Sequence, residues 1–317
     1  MKIEPINLNR LKTYSIKERK NKVKVKDFAR APRQGDSFSQ FVDSLPAILK
    51  GKDFPQLVDN IAEAFQKKKM ILWAMGDSVI KCGLNPIIID LMKRGLVSAI
   101  ALQGAGIIHD AEIALIGETS EDVSFNIQNG KFGMAEETGS ILNMAIKKGV
   151  DDGLGMGKAV SKKLNEMNLP YAEYSILIQA YKLDIPVSVH IAIGTDITHM
   201  HPLCDGGAIG KASHIDFRCF ATLVAKLEEG MFLNIGSAVI LPEVFLKSLS
   251  IARNLGYKIN KFTTVNLDMI THYRPLENVV KRPTATGGKG YSFIGHHEIM
   301  LPLLARAIIE KLKLTAL

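Results

Sequence analysis

The stretch Met70-Ile-Leu-Trp-Ala-Met75 is a continuous apolar run that ends at the polar turn Gly76-Asp77-Ser78. A short apolar run bounded by turn residues is typical of a strand that is buried on both faces of a sheet. Further apolar runs alternate with amphipathic helices along the chain, as in a parallel sheet covered by helices on both faces. The sequence therefore predicts an α/β fold with a Rossmann-like, open and mainly parallel sheet.

The same patterns predict five strands and the helices that connect them. The strands are expected at 70–75, 97–102, 186–193, 231–235 and 262–267, and the main helices at 54–69, 85–94, 107–116, 134–148, 156–167, 171–183, 213–227, 242–256 and 298–312. Ser213 with Asp216 resembles a capping pair that would open one of these helices. The segment 271–295 is polar and rich in glycine, and we predict a long loop there that is functional or mobile.

Composition limits the class of protein. The chain has 317 residues, of which 47% are hydrophobic and 23% are charged, as is ordinary for a globular protein. Its 3 cysteines lack metal-type spacing and argue against a disulfide scaffold. The N-terminus is too charged for a signal peptide, and no apolar run is long enough to span a bilayer. We therefore expect a cytoplasmic protein that does not associate with membranes.

The net charge of +8 comes from the N-terminal segment. Residues 1–33 hold 11 of the 40 Lys and Arg but only 3 of the 32 Asp and Glu, so the remainder carries 29 of each and is neutral. We predict a basic extension at 1–45 and a single Rossmann-like domain at 46–317. The extension is either a solvated terminus or an arm for an acidic partner, a neighbouring subunit or nucleic acid. Nucleic acid is disfavoured, because no nucleic-acid-binding module is present.

Polar residues follow every predicted strand. The carboxyl ends of parallel strands lie on one edge of a sheet, where ligands bind in open α/β folds. Glycine lets the backbone approach a ligand closely, helix N-termini bind phosphate, and acidic residues accept from ribose hydroxyls. The sequence therefore predicts a dinucleotide site at this edge, although polar residues also end strands that bind nothing. The expected cofactor-binding residues are Gly76, Asp77, Gln103, Gly104, Ala105, Gly106, Thr195, Asp196, Gly236, Ser237, Asn266, Asp268 and His297.

The usual glycine fingerprint for a dinucleotide is absent, because His109 stands where the third glycine after Gly104 and Gly106 would fall. Any nucleotide would therefore be held differently from the first strand–helix turn of the common arrangement. The pairs His199-x-His201 and His296-His297 could supply metal ligands, but spacing fixes no third ligand. Proton transfer or substrate hydrogen bonding is the preferred interpretation of these histidines, and no metal is expected.

Two further groups have both a functional and a structural interpretation. Lys289 lies between glycines, and a lysine in a dry pocket can lose its proton and form an imine, although a loop lysine is usually just solvated. The acids Glu136 and Glu137 precede a predicted helix, where they would either serve a site or simply favour the helix dipole.

Taken in order, these segments resemble the deoxyhypusine synthase family over about residues 70–310. Gln103-Gly104-Ala105-Gly106 is similar to its Thr-Ala-Gly-Gly motif, and Gly194-Thr195-Asp196-Ile197 to its Leu-Thr-Asp-Gly segment. The remaining similarities are Gly236-Ser237-Ala238 to a glycine triplet, Val265-Asn266-Leu267-Asp268 to Ile-Asn-Thr-Ala, Gly287-Gly288-Lys289 to Ser-Trp-Gly-Lys, and Leu301-Pro302-Leu303-Leu304 to Phe-Pro-Leu-Leu.

The resemblance implies NAD as cofactor and a homotetramer with sites at subunit interfaces. It also implies hydride transfer from a polyamine to NAD, followed by transfer of an aminobutyl group through a lysine imine to a protein lysine. Asp196 would match an aspartate that contacts NAD, and Lys289 would match the lysine that forms the imine.

The substrate half of the family's pattern is not kept. Ile108 and His109 replace two glutamates, His201 replaces an aspartate, a glycine replaces the tryptophan near the lysine, and Pro242 or Glu243 replaces a histidine. Burying an ammonium group without an anionic partner costs roughly several kcal/mol of desolvation free energy. These departures argue against spermidine as the substrate.

Our leading hypothesis is an NAD-dependent enzyme of deoxyhypusine synthase type that oxidises a small-molecule amine or alcohol, with or without group transfer through Lys289 to a protein acceptor. His201 or His199 would be the general base, and His109, His296 and Glu298 would shape the pocket. One alternative is an authentic deoxyhypusine synthase whose acids are relocated to Glu136, Glu137 and Asp205. A second is a non-catalytic nucleotide-binding scaffold that binds partners through its basic arm.

Overall fold

Six strands form one open sheet within Met1 and residues 3–315, the part of the chain that the computed structural model describes. All neighbouring strands are parallel, and their order is β3-β2-β1-β4-β5-β6. The strands are β1 (Ile71–Met75), β2 (Ala99–Gln103), β3 (Val187–His190), β4 (Met231–Ile235), β5 (Thr263–Asp268) and β6 (Lys289–Ile294). The predicted open parallel sheet is confirmed.

The helices connect and cover these strands. They are α1 (Phe38–Ser44), α2 (Leu49–Gln66), α3 (Ser78–Lys81), α4 (Asn85–Lys93), α5 (Gly104–Ile116), α6 (Val123–Ile127), α7 (Glu136–Asp151), α8 (Met156–Glu166), α9 (Ile176–Lys182), α10 (Gly206–Val224), α11 (Ile240–Asn254), α12 (Tyr273–Pro275) and α13 (His297–Leu312). A short π-helix, Leu276–Lys281, follows α12.

Side chains of β1 alternate between two cores, one on each face of the sheet. Ile71, Trp73 and Met75 pack in a large core with α2, α4 and α13, whereas Leu72 and Ala74 pack with α10 and α11 on the opposite face. This alternation follows from the two-residue period of a strand. Helices therefore cover both faces, as the sequence predicted.

Two local predictions were wrong. The segment 271–295 is not one long loop, because it contains α12, the π-helix and the edge strand β6. Ser213 and Asp216 do not open a helix either. Helix α10 begins earlier, at Gly206, where the Asp205 side chain accepts the backbone N–H of Ala208 at 3.0 Å.

The basic N-terminal segment lies on the outside of the domain, and the side chains of its apolar residues Ile3 to Val25 are exposed. It joins the body where the Arg30 N–H donates to Ser44 O at 2.9 Å and the Ala47 N–H donates to Asp27 O at 3.0 Å. Within the described residues, no helix combines the length and apolar character needed to cross a membrane.

Candidate active site

The order of the strands places a topological switch point at the carboxyl edge of the sheet, between β1 and β4, and the region around this point is here called the crevice. From β1 the chain proceeds outward through β2 and β3, then returns to β4 and proceeds the other way, so the connections diverge at this point. Ligands of open α/β sheets bind at such a switch point. The turns after β1 and β4 meet there so closely that a Cβ atom at Gly76 would lie 2.2 Å from Gly236 O.

A polar network centred on Asp77 joins the two sides of this crevice. Gln103 Nε2 donates to Asp77 Oδ1 at 2.7 Å, and Ser237 Oγ lies 3.5 Å from Gln103 Oε1. Lys81 Nζ forms an ion pair with Asp77 Oδ2 at 2.9 Å. Burial raises the pKa of Asp77, but Lys81, His109 and Gln103 outweigh burial, and the pKa is lowered overall. Asp77 is therefore a carboxylate at neutral pH.

His109 belongs to a chain of hydrogen bonds on α5. Its Nδ1 lies 2.7 Å from Thr119 Oγ1, which donates to Glu112 Oε2 at 2.5 Å, and Thr138 Oγ1 donates to Glu112 Oε1 at 3.1 Å. The other ring nitrogen, Nε2, lies 3.8 Å from Asp77 Oδ2. Burial raises the pKa of Glu112, but its contacts with His109, Thr119 and Thr138 lower it overall. His109 thus lies between two carboxylates.

Asp196 occupies the N-terminus of α5. A Cβ at Gly104 would lie 1.9 Å from Asp196 Oδ2, so only glycine allows this approach. Burial raises the pKa of Asp196, and His199 and the Ala105 backbone N–H partly oppose that rise. Asp196 Oδ2 is buried and has no hydrogen-bond partner among the described residues. In the same turn, a Cβ at Gly106 would lie 3.3 Å from Leu102 Cβ, so glycine there lets α5 lie close to β2.

His199 and His201 do not lie together as metal ligands would. His199 Nε2 lies 3.7 Å from Asp196 Oδ2, whereas His201 Nε2 lies 3.4 Å from Glu136 Oε2. The described residues contain no group of three or more His, Cys, Asp or Glu side chains arranged to hold a metal ion. Thr195, in the turn before Asp196, is exposed and donates to Ala192 O at 2.7 Å.

His297 is the histidine that lies deepest in the crevice. It is buried, its Nε2 would lie 2.8 Å from a Cβ at Gly236, and its Nδ1 has no partner among the described residues. Burial lowers the pKa of His297, so the ring is neutral at pH 7. Its neighbours His296 and Glu298 are exposed, and His296 Nδ1 lies 3.7 Å from Glu298 Oε1.

The turn after β4 presents unpaired backbone N–H groups. In the described residues, the N–H groups of Ser237, Ala238 and Val239 donate to no protein group, and α11 begins directly after them. At the end of β5, Asn266 is buried and accepts from Asn234 Nδ2 at 2.7 Å. Asp268 Oδ1 accepts the N–H of Met269 at 2.8 Å.

Lys289 is at the opposite edge of the sheet, and the prediction that it faces a nucleotide bound by this chain's crevice is wrong. Lys289 is the first residue of β6 and pairs with Thr263, the first residue of β5, whereas Ile294 pairs with Asp268. Five residue steps at about 3.3 Å each separate Lys289 from the carboxyl edge, a distance of about 16 Å. Lys289 instead lines a separate cavity of about 250 Å³ that also contains Lys67 and Lys261.

The structure gives a place to each of the acids considered as relocated polyamine ligands. Glu136 contacts His201, Glu137 is exposed in the first turn of α7, and Asp205 caps α10. Sequence reasoning missed Ser78, Glu112 and Thr119. Glu112 could have been found, because it lies three residues after His109 on the same helical face. Thr119 lies in the loop after α5, and no sequence signal connects it to His109.

Comparison with known proteins shows the fold. No protein-family model matches the chain, and no curated protein matches it. Several solved structures are similar, and three of them are described here. A putative deoxyhypusine synthase from Entamoeba histolytica has 12% identity and a TM-score of 0.52, and covers 87% of this chain and 94% of its own. AgrE in a ternary complex with ornithine and NAD+ has 16% identity and a TM-score of 0.51, over 82% of this chain. ArgZ, an arginine dihydrolase from cyanobacteria, has 18% identity and a TM-score of 0.51, over 84% of this chain.

The lengths of these proteins differ. The match covers 33% of AgrE and 34% of ArgZ, so this chain corresponds to about a third of each. At such identities the shared property is the arrangement of strands and helices.

Proposed function

We propose that this protein is an NAD-dependent enzyme, related in fold to deoxyhypusine synthase, that oxidises a small-molecule amine or alcohol. The observation that carries the proposal is a set of buried polar atoms at the switch point. Ser78 Oγ, Asp196 Oδ2 and His297 Nδ1 all lack partners among the described residues. Buried polar groups nearly always have partners, so unsatisfied ones in a ligand crevice indicate a ligand that completes them.

The residues present fit a dinucleotide. The free N–H groups of Ser237, Ala238 and Val239 lie at the start of α11, where a helix N-terminus favours phosphate. Asp268 ends the following strand, the position from which an acidic residue binds ribose hydroxyls in dinucleotide-binding folds. Gly236 has φ +65° and a close approach to Ser78 and His297, so no larger residue fits there.

Bound NAD would supply a hydride acceptor, and the protein would supply binding, orientation and proton transfer. Asp77, held by Lys81 and Gln103, is a fixed negative charge beside the crevice. A fixed negative charge stabilises a protonated amine or a developing imidazolium. Group transfer through Lys289 is not part of this proposal, because Lys289 lies at the other edge of the sheet.

Thermal denaturation tests the cofactor. A ligand at 100 times its Kd stabilises the folded state by about 2.7 kcal/mol, and at about 2.1 cal/mol/K of unfolding entropy per residue this raises the Tm of a chain of this size by about 4 °C. We expect NAD to produce such a rise, Asp196→Ala to abolish it and Lys289→Ala, the matched control, to retain it. An unchanged Tm at saturating NAD would refute the cofactor assignment.

We also infer that a second subunit covers the rim of the crevice, as in a homotetramer with sites at its interfaces. Exposed apolar side chains surround the crevice, among them Ile193, Met200, Met269, Ile270 and Ile294. Ile193, Met269 and Ile270 come just after strand ends, Ile294 is the last residue of β6, and Met200 lies further along the chain after β3. Apolar groups gathered around a ligand crevice mark an interaction surface.

A further inference from the structure

Of the histidines near the crevice, His109, His199 and His201 have hydrogen-bond partners on a ring nitrogen, and these partners distinguish them as proton acceptors. A neutral imidazole has one N–H and one nitrogen lone pair, and only the nitrogen with the lone pair can act as a base. The partner of one nitrogen therefore determines what the other nitrogen can do.

The lone pair of His199 is already used. The Gly194 N–H donates to His199 Nδ1 at 3.0 Å, and the Asp196 N–H approaches the same atom at 3.3 Å. Nδ1 is therefore the acceptor and Nε2 carries the hydrogen, which points toward Asp196 Oδ2 at 3.7 Å. His199 in this state has no free lone pair.

His201 is arranged in the same way. The Leu203 N–H donates to His201 Nδ1 at 3.2 Å, and Nε2 faces Glu136 Oε2 at 3.4 Å. Because Nδ1 accepts and Nε2 faces a carboxylate, the hydrogen lies on Nε2. Neither residue first considered as the general base is therefore free to take a proton.

The hydrogen bonds of His109 have the opposite order. Thr119 Oγ1 has a single hydrogen, and its 2.5 Å contact with Glu112 Oε2 requires that hydrogen, because ionised Glu112 can only accept. Thr119 Oγ1 must then accept from His109 Nδ1, 2.7 Å away. The hydrogen of His109 lies on Nδ1, and the lone pair lies on Nε2, which at 3.8 Å from Asp77 Oδ2 is beyond hydrogen-bond distance of that carboxylate.

We propose that His109 is the proton acceptor of the crevice, with Thr119 and Glu112 as positioning residues that hold its lone pair toward the substrate. The assignment rests on the proposed function. With NAD bound, the cofactor would supply the hydride acceptor for the adjacent carbon, and His109 Nε2 would take the O–H or N–H proton of the substrate, so that a C=O or C=N bond would form. Asp77 then faces the imidazolium, and Lys81 and Gln103 keep that carboxylate in place.

Imidazole nitrogen NMR tests the arrangement without NAD or substrate, and therefore separately from the cofactor. We would label the histidine ring nitrogens, assign His109 by loss of its signals in His109→Gln, and record long-range proton–nitrogen correlations above the pH at which the rings titrate. We expect an Nδ1–H tautomer for His109 and Nε2–H tautomers for His199 and His201. An Nε2–H tautomer for His109 would overturn the proposal.

Two variants of the positioning residue sharpen the test. Thr119→Val cannot accept from Nδ1, so the His109 signals should move toward an Nε2–H or mixed tautomer, and Thr119→Ser should restore the wild-type pattern. Once a substrate is found by screening amines and alcohols with NAD, His109→Gln should reduce kcat by about 10²–10⁴-fold, the usual contribution of general acid–base catalysis. A His109→Gln enzyme with undiminished kcat would also overturn the proposal.

Discussion

Replacing Asp216 by asparagine should change how the stability of the protein depends on pH. Asp216 lies inside α10, and its Oδ2 accepts the N–H groups of Gly157 and Val189, each at 2.8 Å. The side chain thus holds the start of α8 and the middle of β3 against α10. Burial raises its pKa to about 7, although hydrogen bonds from Gly157, Val189 and Met156 oppose that rise.

The raised pKa of Asp216 determines whether the free energy of unfolding rises or falls with pH. The folded state binds the Asp216 proton more tightly than the unfolded chain, whose carboxyl has its ordinary pKa of 3.8. The resulting stabilisation is complete below the unfolded pKa and is lost as the pH rises through about 7. One proton contributes about 1.4 kcal/mol per pH unit, so the wild type should lose about 2 kcal/mol between pH 5 and pH 7 through this group.

Urea unfolding at pH 5, 6 and 7 measures how the free energy of unfolding of the wild type and of Asp216→Asn changes with pH. Asparagine has nearly the same shape, offers one oxygen to the same N–H groups and does not titrate. Asp216→Asn should therefore gain about 2 kcal/mol relative to the wild type across this range, since the other acids contribute equally to both proteins. Asp151→Asn, an exposed site on α7, is the control and should parallel the wild type. Parallel curves for Asp216→Asn and the wild type would refute the reasoning.

Two further predictions concern the crevice and its surroundings. Gly236→Ala should eliminate the Tm rise with NAD, because Gly236 has φ +65° and a Cβ there would meet Ser78 Oγ at 2.3 Å and His297 Nε2 at 2.8 Å. The control is Gly35→Ala, which also has a positive φ (+88°) but open space around its Cβ, and it should retain the rise. Equal Tm responses of the two variants to NAD would contradict the crowding argument. Light scattering should give the mass of an oligomer of several 34.8 kDa chains. Ile270→Asp, which puts a charge on the rim of the crevice, should reduce that mass. A wild type with the mass of a single chain would contradict the inference that a second subunit covers the rim.

The sheet could be predicted largely from the sequence because β1 to β5 are buried. In β1, for example, all five residues are buried, and the strand is a continuous apolar run in the sequence. Parallel connection then places every strand's carboxyl end on one edge, which is why Gly76, Asp196 and Gly236 could be assigned to one site without coordinates. These three residues are grouped by the topology of the sheet, so the prediction does not depend on knowing any contact between their side chains.

The edge strand β6 could not be predicted in this way. Only Tyr291 and Phe293 of its six residues are buried, and Gly290 and Ser292 alternate with them. A half-covered strand with glycine and serine resembles a loop in the sequence. Missing it had a direct consequence for function, because a loop can extend toward either edge of the sheet, whereas the first residue of a parallel strand is fixed at the amino edge. The error at Lys289 follows from the error at β6.

The start of α10 was missed for a different reason. Gly206, Gly207 and Gly210 lie in its first two turns. Because glycine disfavours helices by about 1 kcal/mol per residue, the sequence predicts that the helix begins only at Ser213. Asp216 was then taken for a capping residue. Its actual partners, Gly157 and Val189, are 59 and 27 residues away, and no local pattern indicates them.

The charges around the crevice constrain how a dinucleotide could lie in it. On the β1–β2 side, Asp77 follows β1 and Asp196 occupies the N-terminus of α5, so the two helix starts that would usually attract phosphate carry carboxylates instead. On the β4–β5 side, the acidic residue in the first turn of α11 is Glu243, whose charge is paired with Lys247 and Arg274, and the N–H groups before the helix are free. Phosphates are repelled from the first side and attracted to the second. The phosphates should therefore lie toward α11, which leaves the β1–β2 side, where His109 Nε2 faces Asp77, for the reacting end and the substrate. The incomplete glycine fingerprint after β2, where His109 stands in place of the third glycine, is consistent with this orientation, because a turn that holds no phosphate has no need for it.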